Sequence, residues 1–325
     1  MFTVDSILLA RDFSPTSDQA FRYSLDLARR TGATLHVVHA EVLHEAPGTG
    51  DEMSTPAADI ERIEEQLSRH GNGDAVTGAD AEVEIVEAVV RDVAAGPAIL
   101  NYAEENDIDL IALGTHGRRG IRRFLLGSVA EEVVRRANRP VLTVRGGDQH
   151  EDVAIPPIST LSRILVPIDF SDPSREALLH AQAIADMFGA KVDVLHVVQQ
   201  TMHPAFYVGG VTDIRDIDPN IEDKVKARVV EFINDTLRIP EVADGPASSA
   251  SPLESGQVQP HMIIGSVDME VPGFIEEHDT DLVVMSTKGQ TGLDRVLLGS
   301  VAEKIVRQAR CPVLTVKSGE RTLLA

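Results

Sequence analysis

The sequence predicts an α/β protein with a doubly wound, mostly parallel sheet, and it predicts that architecture twice over. Three observations carry this. Short β-rich runs alternate with segments of helical period, the order expected of stacked βαβ units. Runs such as "LIALG" from Leu110 and "LVVMS" from Leu282 are unbroken by charge, as in parallel strands covered on both faces. And the chain repeats itself: "ILLARDFS" from Ile7 lies over "ILVPIDFS" from Ile164 at a constant offset of 157, carrying Asp12 onto Asp169, Gly32 onto Gly189 and His39 onto His196. Near each end, "LLGSVAEEVVRRANRPVLTV" matches "LLGSVAEKIVRQARCPVLTV" at an offset of 172, so the second copy holds about fifteen extra residues in its middle.

In the first copy the elements follow in order. Ser6–Arg11 reads as a strand and Pro15–Arg30 as a helix entered through Ser14 and a proline at its first position. Thr34–Ala40 is a strand, Asp59–His70 a helix and Glu82–Val90 a strand. A helix near Gly96–Asn106, a strand at Leu110–Leu113, a helix at Ser128–Ala137 and a strand at Val141–Val144 complete the unit. The helix assignments rest on spacing; in the second copy Ala177, Ala181, Ile184, Ala185 and Phe188 share one face. The copies occupy residues 1–147 and 161–319. The polar, then Pro-rich stretch 148–160 is the linker between them. The added length of the second copy falls in "TMHPAFYVGGVTDIRDIDPN", which holds Phe206 and Tyr207, and in "ADGPASSASPLESGQVQ", whose composition reads as a loop.

Composition sets limits on function. The 325 residues carry a net charge of −21, which repels polyanions and argues against nucleic acid and anionic membranes as partners. The same acidic balance suits a salt-rich cytoplasm as well as an ordinary one. No apolar run approaches the length of a membrane span, the start of the chain lacks the pattern of a signal peptide, and a single cysteine, Cys311, excludes an internal disulfide. The expected compartment is the cytoplasm.

The chemistry concentrates in "GTHGRRGIRRFLLGS", Gly114 to Ser128, and its counterpart "STKGQTGLDRVLLGS", Ser286 to Ser300. In open α/β sheets ligands sit beyond the carboxyl ends of the strands. Gly114 ends a strand and Gly127-Ser128 opens a helix, whose free amides and dipole favour an anion, phosphate above all. A second reading stands beside it: Ser128 with Glu131, and Ser300 with Glu303, fit the S-x-x-E capping box. That reading leaves the glycine spacing unexplained. Asp12 and Asp169 likewise fit either a ligand acceptor or a turn residue before the helix-capping serine.

These residues carry a resemblance. G-x-x-G, nine residues, then G-S, together with the early Asp12, the "GA" before the second strand and the "GSVAE…PVLTV" ending, resembles the nucleotide-binding signature of the universal stress protein family. It covers both copies. The resemblance implies two Rossmann-like, adenine nucleotide alpha hydrolase-like domains, each a five-stranded parallel sheet flanked by helices, and ATP as ligand of a regulator or sensor in stress response. It implies that Gly114, Gly117, Arg118, Gly127, Ser128 and Val129 hold ribose and phosphates while Asp12 and Ala40 lie at the adenine. Carried to the second copy, the set becomes Asp169, Val197, Ser286, Gly289, Gln290, Gly299, Ser300 and Val301. Ser286 departs from the pattern, since a positive φ at that position would be costly for serine. Arg123 and Arg295 are the basic residues both copies keep. The resemblance further implies that the last strands, Val141–Val144 and Val313–Val316, pair within the chain, and it leaves room for two chains to associate as a homodimer.

Enzyme chemistry has less support in the residues. There is no G-x-x-x-x-G-K-[S/T], and the first copy's loop contains no lysine to cradle phosphates during transfer. Slow ATP hydrolysis and a scaffold with structural nucleotide are the competing readings. His36 and His39 fall on opposite faces of their strand, so no metal-ligand set is expected; His39 and His196 read as core-lining. Mg²⁺ or Mn²⁺ would accompany the nucleotide's phosphates.

Overall fold

The computed structural model describes residues 1–43, 83–115, 126–145, 158–199, 213–237, 251–287, 298–317, 319 and 321–324. Within these, the first copy forms β1 (Ser6–Ala10), α1 (Pro15–Thr31), β2 (Thr34–Val42), β3 (Ile85–Asp92), α2 (Ala95–Glu105), β4 (Leu110–Gly114), α3 (Ser128–Arg136) and β5 (Val141–Val144). A short 3₁₀ turn at Ile158–Thr160 leads into the second copy. There follow β6 (Arg163–Ile168), α4 (Asp172–Phe188), β7 (Lys191–Gln199), α5 (Ile214–Ile217), α6 (Ile221–Leu237), β8 (Val258–Gly265), α7 (Val267–Glu277), β9 (Leu282–Ser286), α8 (Ser300–Gln308) and β10 (Val313–Val316).

Local chemistry explains the main boundaries. Ser14 and Ser171 are extended, and each side chain accepts from the amide three residues on (Ser17 and Ser174), with proline in the first turn of the helix that follows. Both helices stop at a glycine, Gly32 and Gly189, in the left-handed conformation that a side chain would resist. The helix expected at 59–70 lies outside the described residues, as do Phe206 and Tyr207. Val258 and Gln259 differ from expectation: they fall in a stretch read as loop and begin β8, paired with Val192 and Asp193. The end of the linker is ordered by α1, where Asp26 Oδ2 accepts from the Ser159 amide at 2.7 Å and Ile158 is buried.

All ten strands form one sheet in the order β3-β2-β1-β4-β5-β10-β9-β6-β7-β8. Pairing is parallel within each copy. At the centre β5 and β10 run antiparallel, with Leu142 opposite Leu314. Thr143 Oγ1 donates to the Val313 carbonyl and Thr315 Oγ1 to the Val141 carbonyl, so the two threonines secure the seam reciprocally. The last strand of each copy is therefore interior, and the outer edges are β3 and β8.

The two faces of the sheet are built differently. Under α1 and α4 one hydrophobic cluster runs across the seam, joining Ile7, Leu35 and Phe21 of the first copy to Ile164, Leu178 and Val192 of the second. On the other face there are two clusters, one per copy. The first gathers Leu8, Ile111 and Val133, the second Leu165, Val283 and Ile305. Burial of this size is the main drive for holding both copies in one body.

Candidate functional site

At the carboxyl end of β1 the chain turns sharply from Asp12 to Ser14. Asp12 Oδ1 accepts from the Ser14 amide at 3.1 Å, and Asp169 Oδ1 does the same for Ser171. The residue between them is in the left-handed region: φ is 62° at Phe13 and 66° at Phe170. An aromatic residue held there costs about 1–3 kcal/mol and persists only where its surroundings enforce it. Each ring packs beside a histidine of the next strand, Phe13 against His39 with centroids 5.0 Å apart and Phe170 against His196 at 4.3 Å. Those histidines are tied to β1 and β6 in turn. His39 Nδ1 lies 2.8 Å from the Arg11 carbonyl and His196 Nδ1 2.9 Å from the Ile168 carbonyl, each as an N–H donor. Burial lowers the His196 pKa, against the opposing pull of its bond to the Ile168 carbonyl.

The second segment starts at Gly114, the last residue of β4. Neither Gly114 nor Ser286 has positive φ, which removes the cost expected for serine at that point. Gly114 is needed for proximity instead. A Cβ there would stand 2.8 Å from Thr16 Cγ2 and 3.2 Å from the Ser17 amide nitrogen, so β4 and the first turn of α1 meet at this residue. The next residue, Thr115, is buried, and its carbonyl accepts from the Gly127 amide at 2.8 Å; Thr287 and Gly299 repeat the bond at 2.9 Å. The ends of the long loop are thus drawn together beside the Asp12 turn.

The capping-box reading does not survive. Gly127 and Gly299 are the cap residues, extended at φ −59° and −60°, and Ser128 and Ser300 are the first residues of their helices. A serine at that position cannot serve as the cap, and the cap residue, a glycine, has no side chain to do so. Both serines are exposed at the carboxyl end of the sheet. The first-turn amides there form a donor set suited to an anion.

The remaining expected residues divide clearly. Ala40 and Val129 pack against the first copy's cluster, while Val197 and Val301 belong with the second copy's. Their side chains are engaged with the core, leaving backbone groups to face the site. Gly117, Arg118, Gly289 and Gln290 lie outside the described residues, as do Arg123 and Arg295. His36 and His39 do face opposite ways: His36 Nδ1 is 3.0 Å from the Tyr102 hydroxyl on α2, whereas His39 meets Phe13. Among the described residues no group of three His, Cys, Asp or Glu is arranged to hold a metal, and no helix is long and apolar enough to cross a membrane.

Sequence reasoning missed Phe13, Phe170, Thr115 and Thr287. The repeated "DFS" was the available signal for the first pair, but a left-handed φ at a phenylalanine has no signature of its own. The copies also differ at the turn. Asp169 Oδ1 additionally accepts from Ser171 Oγ at 2.5 Å and Ser174 Oγ at 2.7 Å, whereas Ser17, the counterpart of Ser174, donates its hydroxyl to the Ser14 carbonyl. Arg11, the counterpart of Ile168, is buried with its guanidinium on Asp18 and over the Phe21 ring.

Comparisons with known proteins agree with this architecture. A model of the universal stress protein family matches residues 3–145 and again 160–317. Universal stress protein MJ0531 of Methanocaldococcus jannaschii is 33% identical over 160 residues, covering 49% of this chain and 84% of that protein. A universal stress protein of Mycolicibacterium smegmatis is 26% identical over 324 residues, 96% of each chain. The crystal structure of a universal stress protein from Archaeoglobus fulgidus shares the fold over 98% of this chain and 100% of its own, with a TM-score of 0.62 at 20% identity.

Proposed function

Because the chain belongs to the universal stress protein family, we propose that it binds an adenine nucleotide, ATP, at the carboxyl end of the sheet in each copy and acts as a nucleotide-dependent regulator. The observation that carries this reading is the start of α3, where the cap is a glycine, Gly127, the next residue, Ser128, is exposed, and the Gly127–Thr115 bond holds both to the end of β4 that packs on the first turn of α1. In this reading the first-turn amides and Ser128 receive the phosphates, and Asp12 accepts from the adenine amino group. Gly114 contributes from the end of β4 and Gly117 and Arg118 from the intervening loop, with Asp169, Ser286, Gly289, Gln290, Gly299 and Ser300 in the corresponding roles. The enforced turn at Phe13 supports it, since strain of this kind is kept where a group must be held in place. A divalent ion, Mg²⁺ or Mn²⁺, comes with the phosphates. Residues 1–147 and 161–319 are the two binding units.

The test begins with protein purified without added nucleotide, then denatured, with the released ligand identified by chromatography and mass spectrometry. ATP in the range of one to two per chain is expected. If nothing is released, and stripped protein shows no heat on titration with ATP and Mg²⁺, the reading is wrong. Hydrolysis measured on the same material separates binding from slow turnover: an Asp12→Ala variant that still binds ATP but hydrolyses none would assign ATPase activity to that carboxylate.

A further inference from the structure

Leu126 and Leu298 stand immediately before Gly127 and Gly299, and each touches both clusters on the face of the sheet that carries α3 and α8. Leu126 belongs to the first copy by sequence, yet it packs on the cluster of Leu165, Val283 and Ile305 as well as on its own. Leu298 does the converse. The residues leading into the two candidate phosphate positions therefore each rest on the apolar layers of both copies.

The far ends of the same two helices are exchanged too. Arg145 Nη1 donates to the Gln308 carbonyl at the end of α8, 2.9 Å away. Lys317 Nζ donates to the Arg135 carbonyl at 2.9 Å and to the Ala137 carbonyl at the end of α3. Each helix has its entry packed against the other copy and its exit capped by it. A helix held at both ends moves as a body, and close-packed contacts pass a displacement on rather than absorb it.

We propose that the two nucleotide sites are coupled through Leu126 and Leu298, so that filling one changes the affinity of the other. This rests on the nucleotide reading above. An anion drawn onto the amides of α3 acts on Gly127, whose neighbour is wedged between both clusters; the second copy feels that shift at Leu298, one residue from Gly299. Coupling of this kind is reciprocal, and its usual range is about 5–150-fold in affinity.

The experiment is a calorimetric titration of the full-length chain with ATP in excess Mg²⁺. Asp169→Ala weakens the second site so that the first titrates ahead of it, Asp12→Ala does the converse, and each isotherm is fitted with two sites. The product of the two leading association constants is compared with the overall two-ligand constant of the native chain, and their ratio is the coupling factor. A factor about fivefold or more away from unity, in either direction, is expected. The double variant Leu126→Ala/Leu298→Ala, measured in the same three backgrounds, should bring it to within about twofold of unity. A factor near unity in the native chain overturns the proposal while leaving nucleotide binding intact, as does binding at one site alone. Absence of any ATP binding overturns the nucleotide reading and the coupling with it. Should the double variant fail to fold, the native chain and the two aspartate variants still decide the question.

Discussion

Arg145 and Lys317 occupy equivalent positions in the two copies, and each donates across the sheet seam to the last turn of the other copy's helix. The two contacts are unequal. Lys317 is buried and serves two carbonyls, Arg135 and Ala137, while Arg145 is half-buried and serves one, Gln308.

Lys317→Met should therefore destabilise the protein more than Arg145→Met. Removing the lysine leaves buried carbonyls without a donor, at a cost of about 1–3 kcal/mol. Thermal unfolding of both variants provides the check; equal effects would mean that water replaces Lys317 freely.

Gly114→Ala should lower the melting temperature by several degrees. The added methyl would press on Thr16 and the Ser17 amide, and overpacking of this kind costs about 1–3 kcal/mol. An unchanged melting temperature would show that the first turn of α1 yields readily, as its counterpart must to admit Ser286.

Asp12→Ala should reduce ATP affinity at the first site by about tenfold or more, the scale of a hydrogen bond to a charged acceptor. The fold should remain, because Ser14 still caps α1. Calorimetry against the Asp169→Ala background reads the first site with the second weakened, and wild-type affinity there would remove Asp12 from the binding set.

Stability should fall as pH drops below about 6.5, in part through His180. Its Nδ1–H donates to the Glu176 carbonyl, and Nε2 accepts from the Leu323 amide, which anchors the end of the chain. Burial lowers its pKa, so the unfolded chain takes up the proton first. The contribution is complete above the unfolded pKa near 6.5 and is lost as pH falls through the folded value. Melting temperature against pH from 7.5 to 5 should decline less steeply for His180→Gln than for the native protein.

Cys311 should resist alkylation in the native state. It is buried, and burial pushes the thiol pKa up to about 12, which leaves little thiolate at neutral pH. Labelling with iodoacetamide at pH 8 should proceed only after unfolding; rapid labelling of folded protein would contradict the burial.

Much of the fold was legible in the residues. The 157 and 172 offsets located both copies, and periodicity located α1, α4 and the central strands, because these patterns are imposed locally by burial on one face or both. Ser14-Pro15 announced its helix for the same reason: a cap is satisfied within four residues. Whether Ser128 is a capping serine could not be read locally, because S-x-x-E fits a cap at Ser128 as well as a first-turn serine, and only the cap position at Gly127 separates them. Gly114 carries a further constraint that the motif does not record. Its constraint is a neighbour about a hundred residues away in the chain, Thr16, and no local pattern records that distance.

By itself the sequence determined the α/β class, the duplication, the order of the elements and the segments in which a ligand site should be sought, since each depends on the spacing of residues along one stretch of chain. The tertiary structure alone decided what crosses between copies: the register that sets Leu142 opposite Leu314, the exchanged caps of Arg145 and Lys317, and the packing of Leu126 and Leu298 on the clusters of both copies. It also decided the left-handed turns at Phe13 and Phe170. These features depend on which distant surface a residue is pressed against, and a backbone conformation that no phenylalanine adopts unaided appears only when packing from α1, β2 and their counterparts enforces it.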